Sequence, residues 1–124
     1  MAPVMAVALD VMDRPWEWGE ADCCTSVCDV FFRLYGIDPM ACLRGKYSTK
    51  LGAIRKINSY GGFIPMSKVL ADQHDLHECE PKVGAIGAID SSLLICVKPD
   101  LWLGKTLHGL SPVSSASVAY HVEV

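Results

Sequence analysis

No run of apolar residues in this sequence approaches the roughly eighteen that a membrane-spanning helix needs. The opening stretch is apolar but short, has no basic segment before it, and meets Asp10 and Asp13, so no secretory leader is expected. Clustered basic charge is missing as well. The 11 lysines and arginines are scattered and the net charge is −3, which leaves no electrostatic footprint for nucleic acid or an anionic membrane surface. There is no Cys-x-x-Cys pair to announce a zinc or iron–sulfur site. A Gly-x-Ser-x-Gly elbow, which would suggest a serine hydrolase, is absent too. No cofactor is expected, and no repeat or low-complexity tract is visible.

What remains is apolar bulk. Of 124 residues, 51% are hydrophobic and only 20% charged, enough for one well-buried domain spanning residues 1–124 and against disorder. The surplus of apolar residues also suits a surface covered by a partner, as in a subunit of an assembly. Six cysteines (Cys23, Cys24, Cys28, Cys42, Cys79, Cys96) are many for this length. With no leader expected, synthesis in a reducing cytoplasm is the default, and these thiols are expected free. His74, His77 and Cys79 have loose metal-ligand spacing but lack a fourth ligand, so no metal is expected there.

The pattern along the chain changes period once. Residues 3–12 form an expected helix with Pro3 at its start and Val4, Val7, Ala8 and Val11 on one side. A second helix opens at Asp22 with the stripe Cys24, Val27, Cys28, Phe31, Leu34 and Tyr35, and stops at Gly36. A short helical turn is expected at residues 40–43. A third helix follows a Ser48 or Thr49 cap, with Leu51, Ala53, Ile54 and Ile57 facing inward. A fourth, short helix covers residues 65–76 with Met66, Val69 and Leu70 apolar, and residues 74–81 are expected as a loop. Strands are expected at 83–89, 93–98, 101–103 and 118–124. Helices first and a small antiparallel sheet last define an α+β domain. Asp29 and Arg33, four apart, are expected to pair on a helix surface.

The chemistry concentrates at the helix that starts with Asp22. An acidic cap followed at once by cysteine sets a thiol among unpaired backbone N–H groups, where the helix dipole favours thiolate. Cys24 shares the core face with Val27 and Cys28. Cys23, about 100° away round the helix, can face a groove and is the candidate nucleophile. Trp18, Asp22, Cys24 and Tyr47 are expected to line that groove. Trp16 and Trp18 could equally anchor their loop, and Arg44 and Tyr47 are expected to orient theirs by hydrogen bonds.

Several segments in order carry a family resemblance: Trp18-Gly19, Asp22-Cys23-Cys24, Asp29, Gly36-Ile37-Asp38-Pro39, Arg44-Gly45-Lys46-Tyr47, Gly61-Gly62, Val83-Gly84-Ala85-Ile86 and Ala119-Tyr120-His121-Val122. Together they resemble a phage- and prophage-encoded branch of the NlpC-like, papain-like cysteine peptidases, whose genes usually lie in tail-assembly modules. The resemblance implies a papain-like fold with the thiol helix packed on the late sheet. Active members place a catalytic histidine at the start of the second core strand, where this chain has Leu93. The aspartate of the preceding strand is replaced by Gly84-Ala85.

Without an imidazole the thiol has no base. The dipole contributes about 0.3–1 kcal/mol, roughly a factor of two to five in thiolate, and cannot stand in for one. His108, beside Gly109 near the sheet, is the candidate substitute base; His121 is expected as a satisfied or surface strand residue. His74 and His77 are expected to be solvated. The leading expectation is therefore a non-enzymatic structural or assembly component of a phage tail, at the tip or baseplate, whose partners are other tail proteins. The alternative is an active cysteine hydrolase that cuts peptide or peptidoglycan crosslinks, with Cys23 as nucleophile. A thiol-dependent sensor built on Cys23 and Cys24 is the third class.

Overall fold

Pro3 has no N–H to lose at a helix start, and the nine residues after it form α1 (Val4–Met12) in the computed structural model, which describes residues 3–122. Val7, Ala8 and Met12 carry its buried face, while Val4 and Val11 lie at the margin. α2 (Cys23–Tyr35) is the central element. Asp22 caps it, Gly36 closes it at φ +74°, and Cys24, Val27, Cys28, Val30 and Phe31 are buried. It packs on α1 on one side and on the sheet on the other. The expected Asp29–Arg33 pair does not form. Arg33 reaches Asp10 on α1 instead (2.5 Å), and Asp29 is taken by Arg44 (2.7 Å).

Arg44 also holds Asp38 (2.7 Å), which pins the segment after α2. Residues 40–43 make a single hydrogen-bonded turn where a short helical turn is expected, with the Leu43 and Arg44 N–H groups both donating to the Met40 carbonyl. α3 (Lys50–Ser59) starts where Thr49 Oγ1 accepts from the Gly52 N–H (3.0 Å). Its inward face differs from the expectation. Only Ala53 is buried, Leu51 and Ile54 are 57% and 41% exposed, and Ile57 is half-buried. The cause is position: α3 packs against α4 and borders a groove, which Ile54 and Ile57 line in place of the core, while Leu51 lies outside it.

α4 (Phe63–Gln73) begins two residues before Pro65, which occupies its first turn, where no backbone N–H is required. Phe63, Met66, Leu70 and Ala71 are buried and Val69 faces outward.

The second half is a six-stranded sheet made of β1 (His77–Glu78), β2 (Ile86–Ile89), β3 (Ser92–Lys98), β4 (Leu101–Thr106), β5 (Gly109–Val113) and β6 (Val118–His121). The order is β1-β6-β2-β3-β4-β5, with every pairing antiparallel. Two of these strands fall where the sequence suggests none. β1 is a two-residue edge inside the expected loop. β5 contains Gly109, Ser111 and Pro112, weak strand formers tolerated because this strand is the other edge of the sheet. β4 runs three residues beyond the expected 103, and β2 starts at Ile86 instead of residue 83. The expected end of the last strand, residues 123–124, lies outside the described residues.

Alternation along the central strands builds two cores. Leu93, Ile95, Val97, Ile86, Ala88 and Leu103 face the helices in the main one. On the far face Leu94, Cys96, Ala85 and Ala119 surround the buried Trp102 in a smaller one. Lys105 on β4 ties the sheet back to α1. Its ammonium donates to the carbonyls of Met12 (3.0 Å) and Arg14 (2.6 Å), and burial pushes its pKa below the ordinary lysine value. The domain is α+β, with the four helices of the described residues all preceding the sheet strands in the chain.

Candidate functional site

The loop between α1 and α2 is shaped by one carboxylate. Asp22 is buried, and its Oδ1 accepts from the N–H groups of Cys24 and Thr25 (both 2.9 Å) and from the Thr25 hydroxyl (3.0 Å). Its Oδ2 accepts from the Gly19 N–H (2.9 Å) and the Tyr47 hydroxyl (2.5 Å). The Asp22 N–H in turn donates to Thr25 Oγ1, completing a capping box. One side chain thus joins the helix start, the tryptophan loop and the segment leading into α3. Burial and the hydrogen bond to this carboxylate push the Tyr47 phenol well above its usual pKa, so it acts as a fixed donor.

Cys23 is the first residue of α2 and half-buried. Its sulfur lies 3.9 Å from the Cys24 sulfur and 3.9 Å from the carbonyl oxygen of Ser91, in the turn between β2 and β3. The Cys24 thiol, donating to Cys23, lowers the Cys23 pKa; burial and the Asp22 charge oppose this, while the Ser92 hydroxyl and the Leu93 backbone add to it. Cys24 moves the other way, raised by that same hydrogen bond and by burial. Burial raises Cys28. Of the three thiols on this helix, Cys23 is the one disposed to ionise.

Two cavities meet at Cys23. The larger, about 310 Å³, runs from Trp16 and Trp18 past Cys23 to the α3 stripe, with Phe63 and Met66 also in its lining. Trp18, Asp22, Cys24 and Tyr47 all line it, so the expected groove residues do converge on the thiol. Trp16 and Trp18 stack edge to face (4.9 Å) as one wall, and the buried Trp16 indole N–H has no hydrogen-bond partner among the described residues. The smaller cavity, about 220 Å³, lies between Cys23, Ser92 and β4–β5, with Lys105 and Thr106 in its lining.

The start of β3 stands where the resemblance expects a histidine. Leu93 there is buried in the main core, and the main chain of Ser91–Leu93 fills the space beside the sulfur. The four histidines are distributed elsewhere. His108 lies in the exposed β4–β5 turn, its N–H bonded to Thr106 Oγ1 (3.1 Å), and lines neither cavity. His121 is buried on β6 with its Nε2 2.9 Å from the Tyr35 hydroxyl. Tyr35 is twelve residues along α2 from Cys23, roughly 18 Å at the usual helical rise. His74 ends α4 half-buried, and His77 is exposed on β1. Among the described residues no group of three or more His, Cys, Asp or Glu is placed to hold a metal ion.

Sequence reasoning missed the outer wall of the groove. Lys50, Ala53, Ile54 and Ile57 recur at i, i+3, i+4 and i+7, a signal visible in the sequence but equally that of a core-facing helix. Asp90 and Ser91, at the other rim, carry no pattern that marks them.

A family model described as a domain of unknown function (DUF6950) matches residues 2–122. No curated protein and no solved structure matches the chain.

Proposed function

The chain belongs to this DUF6950 family over nearly its whole length, and we propose, on the resemblance of its ordered segments, that it is a non-enzymatic structural or assembly component of a bacteriophage tail, built on a degenerate papain-like, NlpC-like scaffold. One observation carries the non-enzymatic half of this reading. The groove thiol of Cys23 faces main chain and a serine hydroxyl, while each of the four histidines sits outside both cavities that reach it. A thiol attacking a carbonyl needs a proton acceptor, and the leaving amine needs a donor; neither is at hand. The tail placement, at tip or baseplate, rests on the resemblance of the ordered segments.

In virions of a tailed phage that encodes this chain, mass spectrometry of purified particles is expected to find it with the tail proteins. The Cys23→Ala variant is expected to support normal tail assembly. Particles that lack the chain would sink the proposal.

The place of Cys23 at the start of α2 in the groove lining, with the Cys24 thiol against its sulfur, favours the second reading, a cysteine hydrolase acting on peptide or peptidoglycan crosslinks. Alkylation by iodoacetamide, read peptide by peptide, separates the two. Cys23 and the exposed Cys42 are expected to react first, and Cys24 and Cys28 only on unfolding. The Cys23 rate should titrate with a midpoint below the ordinary thiol value of 9.0. At neutral pH it should exceed that of Cys42 by no more than about tenfold. An excess of roughly a hundredfold, with peptide hydrolysis lost in Cys23→Ala, would transfer the case to the hydrolase.

A further inference from the structure

We infer that the larger groove is a binding site for an unbranched alkyl chain with an anionic end group, of which a medium-chain carboxylate is the simplest example. This goes beyond the tail reading and holds whether or not Cys23 reacts.

The volume comes first. About 310 Å³ holds roughly ten groups of water or methylene size, at about 30 Å³ each. The lining is the second point. Trp18, Met40, Leu43, Ile57, Phe63 and Met66 present carbon to the space. Of the polar groups near the thiol, Asp22 and Tyr47 are already engaged, which leaves the Trp16 indole N–H as the one buried donor of this lining without a partner among the described residues. Asp22 accepts five hydrogen bonds, and the Tyr47 hydroxyl is spent on it. Across this carbon-lined stretch a polar peptide would be desolvated with few groups to bond, whereas each buried methylene gains free energy.

Helix α3 supplies the third point. Ile54 stays 41% exposed although it lines the groove, so an occupant would cover apolar surface that the fold itself leaves uncovered. Charge supplies the fourth. Lys50 lines the groove on the same stripe as Ile54 in the first turn of α3, where the helix dipole adds positive potential, and Lys56 lines it further along. Neither lysine is in an ion pair among the described residues. Two acids also line the groove: Asp22, whose carboxylate is satisfied by its five hydrogen bonds, and Asp90 in the turn between β2 and β3. The positive side of the site is therefore the α3 side. The anionic head belongs at the Lys50 end, with the chain running along α3 toward Phe63 and Met66.

The test uses the whole chain and three probes of one chain length: decanoate, decanol and decyltrimethylammonium. Binding is followed by calorimetry and by the emission of Trp16 and Trp18, which line the groove. Saturable 1:1 binding of decanoate below its micellar concentration is expected, tighter than decanol, with the cationic probe weakest. Lys50→Glu should weaken decanoate by roughly three- to tenfold and leave decanol unchanged. Ile54→Gln should weaken both decanoate and decanol. Leu51→Gln, at a more exposed position on the same helix but outside the groove, should weaken neither. Bound decanoate should also slow alkylation of Cys23 relative to Cys42. The inference is overturned by decanoate that binds no tighter than decanol, by equal effects of the Ile54 and Leu51 variants, or by binding only above the micellar concentration.

Discussion

Asp22→Ala is expected to lower the unfolding free energy by about 3–5 kcal/mol. Loss of the cap alone accounts for about 1–2 kcal/mol. The rest comes from buried donors left without an acceptor, namely the Gly19 N–H and the Tyr47 hydroxyl, at about 1–3 kcal/mol each before relaxation. Asp22→Asn keeps an oxygen for the cap but turns an NH2 group toward one set of donors, so an intermediate loss is expected. Urea unfolding measures all of these. Tyr47→Phe completes a double-mutant cycle, in which a coupling of about 1–2 kcal/mol with Asp22→Ala is expected. A total loss below about 1 kcal/mol for Asp22→Ala would mean that the carboxylate does not organise the groove.

Gly19→Ala comes second, at about 2–4 kcal/mol. Gly19 sits at φ +85°, a conformation that a Cβ disfavours, and a Cβ there would stand 2.3 Å from the Tyr47 carbonyl oxygen. That oxygen is backbone and cannot swing aside, so the tryptophan loop must lift away from residues 47–48. Gly36→Ala is the control. It has a similar φ of +74° but no atom within 4 Å of the added Cβ, so only the conformational cost of about 1–2 kcal/mol remains. If the two variants unfold at the same urea concentration, the close approach of the two segments is not realised in solution. Gly19→Ala should also weaken decanoate binding, because the two segments it would push apart carry Trp18 and Tyr47, which both line the groove.

The helices were legible where local chemistry repeats a strong signal. Asp22 followed by a three-and-four stripe and Gly36 can hardly be anything but a capped and terminated helix, and α2 has those ends. α3 shows the limit of the same method. Its period was clear and its direction was not, since Ile54 and Ile57 satisfy a core-facing pattern and a groove-facing pattern alike. β5 was invisible because Gly109, Ser111 and Pro112 are excused from strand propensity only by lying at a sheet edge, and edge position is a property of the assembled sheet. Arg33 and Asp29 found partners on other elements because spacing on one helix says nothing about what packs beside it.

The sequence by itself determined the α+β order, the acidic cap, and which of Cys23 and Cys24 is the less buried thiol, because each depends on neighbours within a few residues. Only the tertiary structure decided what Cys23 faces. The turn at Ser91 is 68 residues away along the chain, and its arrival beside the sulfur depends on how β2 and β3 pair and on how α2 lies across them. The same packing set His121 against Tyr35 and left His108 in an outer turn. Contacts between distant segments follow from the burial of the whole core, and no local pattern encodes them.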